Sequence, residues 1–371
     1  MDSCLLHGRV RTGRPVAQEF LDRYPQSIVV FSFFSPSGYK HAEVDQVCIH
    51  KCYLPFDSRR NARRFVSMIN PDAAVVVRHD VWPNHLLELS KRGIPSFLID
   101  ASISDERLKE ARRNAVFMRP VYKLFTEICT VNDEQTARFA DLYPGLPRLQ
   151  ACGDTRYDRV LERANIKSAV ESIRAVTDFR YDTTLVAGST WPSDEKIILQ
   201  AVIDVCRREK QFSCIIAPHE INPQHIDELL HRFSRQNIKA RKLSAPDNAP
   251  DVIQVLIIDR IGLLANLYAF GQMAYVGGAF GPGIHNVLEP AAHASFVLFG
   301  PRHTNSPEPQ ALIDFGGARM ITQGEHMKAE LKALITNISQ VRQAGRKARK
   351  FVQQHAGAQR KTIDRIEENL R

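Results

Sequence analysis

The 371-residue chain contains no apolar run approaching the roughly 18 residues that a membrane-spanning helix needs, and its N-terminus has no signal-peptide pattern. We therefore expect no transmembrane segment. The seven cysteines are scattered and none belongs to a C-x-x-C pair, so neither a zinc site nor a disulfide framework is expected. Free thiols of this kind fit a reducing cytosol.

Several catalytic and binding signatures are also missing. The sequence has no Walker loop, no evident serine or cysteine triad and no metal-ligand spacing. It has neither zinc-finger spacing nor an aromatic-rich RNA-binding signature, so a nucleic-acid partner is not expected. Lys and Arg number 50 against 41 Asp and Glu, which gives a net charge of +9. This excess favours an anionic partner, such as a phosphorylated substrate or anionic lipid.

Short apolar segments alternate with amphipathic ones along the whole chain, which predicts an α/β protein with parallel sheets. At this length, about two domains are expected. Strands are predicted in the first half at Ser27–Phe34, Ala73–Val77, Pro95–Ile99, Glu127–Val131 and Leu149–Cys152. Helices are predicted between them at Arg59–Ile69, His85–Lys91, Asp105–Arg113 and Asp133–Leu142, with Asp105 and Asp133 as N-caps.

The second half repeats this alternation after a polar link. Strands are predicted at Thr184–Ala187, Cys214–Ala217, Val252–Ile258, Met273–Val276, Phe296–Phe299 and Arg319–Ile321. The first of these is expected to lead through a tight G-S-T turn into a helix at Ser193–Arg208, with Ser193 as the N-cap. The last thirty residues lack proline and any strand pattern, and they predict one long basic helix.

The most informative segment is AYVGGAFGPGIHNVLEPAAHASFVLFGP, residues 274–301. An apolar strand runs into a glycine-dense turn that contains Gly283, and a helix is predicted from about Ile284. Glycines let backbone N–H groups approach a ligand at a helix N-terminus, which is a favourable anion site. Asn286 and Glu289 lie close by, and Glu289 can accept two hydrogen bonds from a sugar diol. The pattern favours a nucleotide or phosphosugar pocket, with a glycine-rich turn that binds no ligand as the alternative.

Three further predicted strand ends meet the same sheet edge. Ser189 and Thr190 offer hydroxyls and free N–H groups to a phosphate or carboxylate, or they form an ordinary capping turn. His219 is able to bond a phosphate, although a lone histidine at a strand end is more often structural. Ile261 and Gly262 suit a backbone contact to a nucleobase. Because all of these residues are predicted at one sheet edge, together they favour a ligand site more strongly than any one of them does alone.

In the first half, Asp80 follows the predicted strand Ala73–Val77 and precedes Trp82, Pro83 and Asn84. Its carboxylate is suited to hold an acceptor hydroxyl. An Asx turn before the proline is the alternative interpretation.

Taken together, these segments resemble the 3-deoxy-D-manno-oct-2-ulosonic acid (Kdo) transferases, which add Kdo to the lipid A precursor. The local form is similar to the Bacteroidetes-type enzymes. The matching segments are TGRP (12–15), FFSPSGY (33–39), YLPFD (53–57), WPN (82–84), CGDTRYDRV (152–160), AGST (187–190), IIAPHEI (215–221), DRIGLL (259–264) and GGAFGPGIHNVLEPA (277–291).

The resemblance implies the GT-B glycosyltransferase fold, with two facing Rossmann-like domains and a C-terminal helix. The implied domains are an acceptor-binding domain over 1–165, a CMP-Kdo-binding domain over 178–340 and a basic helix over 341–371 that packs back. It implies metal-independent, inverting transfer of Kdo from CMP-Kdo to lipid IVA, with no cofactor. The protein would contact the anionic inner face of the cytoplasmic membrane peripherally, and the basic helices would face headgroups or lipid phosphates.

The resemblance also assigns roles to residues. Ser189 and Thr190 would meet the donor's phosphate or carboxylate near His219. Ile261 and Gly262 would face the cytosine, and Asn286 and Glu289 would serve the phosphate and ribose, beside the glycine-rich turn that holds Gly283.

One position departs from the family. The family begins with a hydrophobic anchor and a strand ending in S-x-G-E, whose glutamate is taken as the general base. This chain reads Leu6, His7, Gly8 and Arg9 there, so a shortened N-terminus is expected and Arg9 stands at the glutamate position. A guanidinium cannot act as a base near neutral pH. Asp80 matches a second acidic position of the family.

Two alternatives follow. The first is a non-catalytic relative that binds CMP-Kdo or lipid A without turnover. The second is another nucleotide-sugar enzyme of the same fold, such as a UDP-sugar transferase or epimerase.

Overall fold

In a computed structural model, the chain forms two compact units. The structure describes residues 3–7, 10–41, 47, 50–166, 183–245 and 253–370. The first unit comprises Met1–Arg159 and His355–Arg371, and the second comprises Val160–Gln354. Among the helices of the described residues, none has both the length and the apolar character needed to cross a bilayer.

The first unit is built on a parallel sheet of seven strands in the order β3-β2-β1-β4-β5-β6-β7. The strands are β1 Ser3–His7, β2 Ile28–Phe33, β3 His50–Tyr53, β4 Ala73–Val77, β5 Ser96–Ala101, β6 Glu127–Thr130 and β7 Arg148–Ala151. The central strands β4 and β5 are buried along their whole length, as expected for a sheet covered on both faces.

Helices cover both faces of this sheet. They are α1 Val10–Arg23, α2 Pro36–His41, α3 Arg59–Ile69, α4 Pro83–Lys91, α5 Asp105–Tyr122, α6 Asp133–Leu142, α7 Thr155–Ala164 and the final helix, α15 Ala358–Leu370. One apolar core forms where α1 and α15 pack on the sheet, and a second forms under α3, α4 and α6.

The second unit has its own parallel sheet of seven strands, in the order β10-β11-β9-β8-β12-β13-β14. The strands are β8 Thr183–Thr190, β9 Phe212–Pro218, β10 Ala240–Lys242, β11 Val255–Ile257, β12 Met273–Val276, β13 Phe296–Phe299 and β14 Ala318–Met320. The helices are α8 Pro192–Arg208, α9 Pro223–Ser234, α10 Leu264–Leu267, α11 Leu288–Ala292, α12 Glu308–Asp314, α13 Gly324–Thr336 and α14 Ile338–His355.

The predicted alternation of strands and helices is confirmed, and five predicted elements have the predicted bounds. These are Arg59–Ile69, Ala73–Val77, Asp133–Leu142, Met273–Val276 and Phe296–Phe299. The α/β class with parallel sheets is confirmed as well. The helix predicted at Asp105–Arg113 is longer than expected and reaches Tyr122, and Pro120 lies in its last turn.

Several local predictions are wrong. The N-caps of α5 and α6 are Ser104 and Asn132, one residue before the predicted aspartates. Residues 188–190 continue strand β8, because Gly188 and Thr190 are both paired with β9 and only the register shifts at Ser189, so there is no tight turn at that point. The N-cap of α8 is consequently Trp191, and Ser193 lies inside the helix.

Two helix predictions also need correction. Residues 284–287 form a loop, and the helix α11 begins only at Leu288. The single basic helix predicted for the C-terminus is two helices, α14 and α15, which are separated at Gly357. Gly357 has a φ of +102°, a conformation that interrupts a helix and that glycine adopts without strain.

Candidate functional site

The candidate site lies where the second sheet reverses its strand order. Strand β8 pairs with β9 on one side and with β12 on the other. The register places Val276 of β12 beside Gly188, and Pro218 of β9 beside Thr190, so three carboxyl ends meet at one edge. In open α/β sheets, ligands bind outside such a reversal point.

Strands β8 and β12 approach each other closely because Gly277 has no side chain. A β-carbon at Gly277 would lie 2.7 Å from the carbonyl carbon of Ser189 and 2.8 Å from the Cα of Thr190. The N–H of Gly277 donates to the carbonyl of Gly188 at 2.9 Å, which extends the ladder past the end of β12. Glycine at this position therefore permits the close approach.

The loop after Gly277 folds back on itself. The N–H of Gly283 donates to the carbonyl of Gly278 at 3.0 Å, and the N–H of His285 donates to the carbonyl of Gly277 at 3.2 Å. Gly278 and Gly283 have φ values of +96° and +133°, which glycine tolerates far better than other residues. Gly283 also packs against the side chain of Asn305.

A buried carboxylate ties this loop to the start of α8. Asp194 accepts hydrogen bonds of 2.9 Å from the N–H groups of Trp191 and Gly278 and from the hydroxyl of Tyr275. Sequence reasoning missed Asp194. Its signal was an acidic residue three positions after the helix N-cap, which reaches back to the N-cap amide as in a capping box.

Three aromatic rings assemble at the edge. His219 stacks on Trp191 with ring centroids 4.5 Å apart and on His285 with centroids 4.4 Å apart. The indole Nε1 of Trp191 donates to Nε2 of His285 at 3.0 Å. His219 is exposed on the outside of this cluster. The sequence suggested His219, but Trp191 and His285 received no role because their contact arises from two distant chain segments.

The hydrogen bond from Trp191 selects the tautomer of His285. Because Nε2 accepts a proton donor, a neutral ring carries its proton on Nδ1. Burial, which is the larger cause, and the neighbouring His219 together lower the pKa of His285 below its ordinary value. His285 therefore favours the neutral form, with an Nδ1–H group as a possible hydrogen-bond donor.

Ser189 and Thr190 have different environments. Thr190 is only 2% exposed, and its hydroxyl donates to Oε1 of the buried Glu195 at 2.9 Å. Ser189 is half-buried and has a φ of +53°, an uncommon conformation for a residue other than glycine. Thr190 thus secures the strand end within the fold, while Ser189 is the more accessible hydroxyl.

Asn286 and Glu289 follow the loop. The side-chain oxygen of Asn286 accepts a hydrogen bond of 3.0 Å from the N–H of Leu288 at the start of α11. Glu289 is half-buried. The pKa of the Tyr268 phenol is raised mainly by the burial of Tyr268 and, to a smaller extent, by the negative charge of Glu289. Tyr268 packs against Gly188, so Glu289 lies near the end of β8.

The loop after β11 borders the same edge. Leu264 packs against Gly188, and Ile261 and Gly262 precede it by a few residues. Ile261 is 90% exposed, and Gly262 has a φ of +92° with open space where a side chain would stand. The carbonyl of Gly262 accepts a hydrogen bond of 3.3 Å from Arg163, so the exposed isoleucine and the open side of this glycine offer a mainly apolar surface to a flat ring.

The two catalytic candidates belong to the N-terminal part of the chain. Arg9 lies outside the described residues. Asp80 is in the first unit, half-buried, in a turn after β4 in which its N–H donates to the carbonyl of Val77 at 3.4 Å.

Solved structures with the same fold include enzymes that act on nucleotide sugars. The UDP-GlcNAc 2-epimerase of Neisseria meningitidis, solved with UDP-GlcNAc, matches with a TM-score of 0.66 at 13% identity over 96% of this chain and 99% of that one. A glycosyltransferase from Rickettsia africae matches with a TM-score of 0.61 at 12% identity over 100% and 99% of the two chains. At these identities the likeness establishes the fold alone.

Sequence comparisons are more specific. The family model described as 3-deoxy-D-manno-octulosonic-acid transferase (kdotransferase) matches residues 5–159. The Kdo transferase of Haemophilus influenzae is 21% identical over 98% of this chain and 85% of its own. The Kdo transferase of Rickettsia felis is 23% identical over 89% of this chain and 70% of its own.

Two Rossmann-like units with parallel seven-stranded sheets define the chain as a protein of the GT-B glycosyltransferase fold. Within that class, the chain is similar in sequence to the Kdo transferases, whose family model matches residues 5–159.

Proposed function

We propose that this protein transfers Kdo from CMP-Kdo to a lipid A precursor, lipid IVA, in lipopolysaccharide synthesis, with inversion at the anomeric carbon and without a metal ion. The similarity to the Kdo transferases supports the sugar transferred. The observation that carries the donor assignment is the meeting of β8, β9 and β12 around the cluster of Trp191, His219 and His285.

The second unit is the proposed donor-binding unit. Ser189 and His219 would bind the phosphate or the sugar carboxylate, and Gly283 would shape the loop beside them. Thr190 would position Ser189, because its own hydroxyl is engaged by Glu195. The remaining donor contacts are proposed as follows: Ile261 and Gly262 at the cytosine, Asn286 at the phosphate and Glu289 at the ribose hydroxyls.

In the proposed reaction, an acceptor hydroxyl attacks the anomeric carbon while CMP departs with the bonding electrons. Negative charge then develops on the CMP phosphate. The Nδ1–H group of His285, a preorganised donor, would stabilise that charge without reorganising. Arg9, at the expected base position, would not take the proton from the hydroxyl, so another group has to do so.

The first unit is the proposed acceptor-binding unit, with Asp80 beside the acceptor hydroxyl. Its surface is suited to the inner face of an anionic cytoplasmic membrane. On α5, Val116 and Phe117 are each 79% exposed among exposed basic residues, and α3 adds four exposed arginines. Apolar side chains interleaved with cations are typical of peripheral membrane binding.

The test is Kdo transfer by the purified chain from CMP-Kdo to tetraacyl lipid A precursor, followed by mass spectrometry. We expect Kdo incorporation well above a blank without enzyme. CMP binding without turnover would instead identify a non-catalytic binding relative. Greater thermal protection by UDP-sugars than by CMP would favour another nucleotide-sugar enzyme, and either result would overturn the proposal.

A further inference from the structure

Two consecutive carboxylates in the first turn of α8 are buried in the second unit. Asp194 is inaccessible to solvent, and only 3% of Glu195 is exposed. Taking a carboxylate out of water is costly unless hydrogen bonds or a cation compensate for the lost hydration. Consecutive residues of a helix point in different directions, so the two side chains reach different neighbours. Those neighbours belong to the two sides of the candidate site.

Asp194 holds the side formed by the loop after β12. Its Oδ2 accepts hydrogen bonds of 2.9 Å from the N–H groups of both Trp191 and Gly278. Its Oδ1 accepts from the hydroxyl of Tyr275 at 2.9 Å. Since one oxygen binds both amides, the start of α8 and the loop are fixed relative to each other. The indole of Trp191 therefore meets His285, the ring to which it donates, in one arrangement.

Glu195 holds the side formed by the end of β8. Its Oε1 accepts from the hydroxyl of Thr190 at 2.9 Å, and its Oε2 lies 2.8 Å from Nε2 of His225 on α9. The pairing of β8 with β9 shifts register just before Thr190, at Ser189, whose φ is +53°. A residue in that conformation persists only where its surroundings hold it. The bond to Thr190 is one such restraint on Ser189.

We propose that Asp194 and Glu195 are positioning residues of the donor site: Asp194 places the imidazole of His285, and Glu195 places the hydroxyl of Ser189. The inference rests on the proposed function. Because both carboxylates belong to one helical turn, the distance between the two ligand-binding groups is set before the donor arrives. Groups held in this way bind a phosphate without the entropy loss of ordering them on binding.

The first test removes the carboxylate of Asp194. In a Trp82→Phe background, Trp191 is the only tryptophan of the chain and reports on its own surroundings. We expect Asp194→Ala to raise the Kd for CMP, measured by calorimetry, about tenfold or more and to shift the emission of Trp191. Tyr275→Phe is the matched control, because it removes only the hydrogen bond of Asp194 that faces the core. It should lower stability but keep the wild-type Kd and emission. An equal rise in Kd in both variants would overturn the Asp194 assignment.

Trp191→Phe tests the same link without opening the core, and it decides the question if Asp194→Ala does not fold. Phenylalanine keeps a ring on His219 but has no donor for Nε2 of His285. The Kd for CMP should rise, and adding Asp194→Ala should cause no further rise, because both changes break one chain of contacts. A wild-type Kd in Trp191→Phe would overturn the Asp194 assignment.

The second test removes the group that Glu195 holds. Thr190→Val has nearly the same shape but lacks the hydroxyl, so the Kd for CMP should rise about tenfold, and Thr190→Ser should recover most of that loss. In a Ser189→Ala background, Thr190→Val should cause no further rise. Additive losses would overturn the Glu195 assignment, and wild-type Kd values in every variant would overturn the whole inference. CMP binding without Kdo transfer by the wild-type protein would overturn the proposed function alone.

Discussion

Glu289 is half-buried, and its charge acts on Tyr268, the tyrosine that packs against Gly188 of β8. It lies on the five-residue helix α11, and its charge reaches the buried Tyr268 phenol. A carboxylate so placed can accept hydrogen bonds from a ligand and is not committed to the core. The proposed contact with the ribose therefore depends on this one side chain.

We predict that Glu289→Gln weakens CMP binding about 10- to 100-fold, because a hydrogen bond to a charged group contributes about 1.5–3 kcal/mol. Isothermal titration calorimetry with CMP measures the Kd. Glu325→Gln, at an exposed position of α13, serves as the control and should bind as the wild type does. An unchanged Kd for Glu289→Gln would remove the ribose assignment.

A second residue-scale prediction concerns Asp100, which is buried at the end of β5. It accepts from the N–H of Thr155 at 3.0 Å and from the Thr155 hydroxyl at 2.6 Å. Burial, which is the larger cause, and the negative charge of Asp154 together raise the pKa of Asp100 from 3.8 to about 7. Between those two values the folded state holds a proton that the unfolded chain releases.

This proton difference makes stability fall with rising pH. The contribution is complete below about pH 4, decreases as the pH rises from 4 and is lost by about pH 7. Asp100→Asn has no carboxyl group at this position, so this pH-dependent contribution to stability should vanish. The difference in unfolding free energy between variant and wild type should therefore change between about pH 4 and pH 7. Urea unfolding at several pH values tests it, with Asp141→Asn as the exposed control. Parallel curves for Asp100→Asn and wild type would refute the prediction.

At the scale of elements, the site depends on how closely β8 and β12 approach. Gly277→Ala would place a methyl group against the backbone of Ser189 and Thr190, which cannot rotate away. We expect a loss of about 1–3 kcal/mol of stability and weaker CMP binding. Chemical denaturation and calorimetry measure the two effects.

Gly281→Ala in the same loop is the matched control. Its β-carbon would lie 3.1 Å from the side-chain oxygen of Ser193, which can move. Stability should change by less than about 1 kcal/mol. Equal losses in both alanine variants would mean that the strand approach is not the sensitive feature.

At the scale of the molecule, the end of the chain completes the first unit. Glu127 of β6 is wholly buried, and its two carboxylate oxygens accept from Arg365 of α15 at 2.6 and 3.0 Å. Asn369 donates to the same carboxylate at 2.8 Å. A segment more than 200 residues distant in sequence thus neutralises a charge in the core of this unit.

We predict that Arg365→Met lowers the unfolding free energy by about 3–5 kcal/mol, because it leaves a buried charge without its partner. Glu127→Gln combined with Arg365→Met should recover part of that loss. Arg92→Met, at a surface pair of α4, should cost less than about 1 kcal/mol. Denaturant unfolding measures all three, and an Arg365→Met loss no larger than that of Arg92→Met would contradict the buried-pair argument.

The sequence predicted the elements well where periodicity and burial agree, as in Met273–Val276. It failed at boundaries set by pairing. Residues 188–190 read as a turn because they contain glycine and serine, yet β9 holds them in the ladder. For the site, strand ends were predicted from glycines and polar residues. The cluster of Trp191 and His285 was not, because no local pattern encodes contacts between segments about 90 residues apart.

The order of residues by itself determined the α/β class, since apolar runs separated by amphipathic segments bury themselves only as parallel strands covered by helices. Its motifs also resemble those of the Kdo transferases. Only the tertiary structure decided which polar groups are hydrogen-bonded inside the fold, as Thr190 and Asp194 are, and which are exposed, as His219 is. Hydrogen bonding and burial depend on neighbours brought together by folding, and adjacency in the chain does not reveal them.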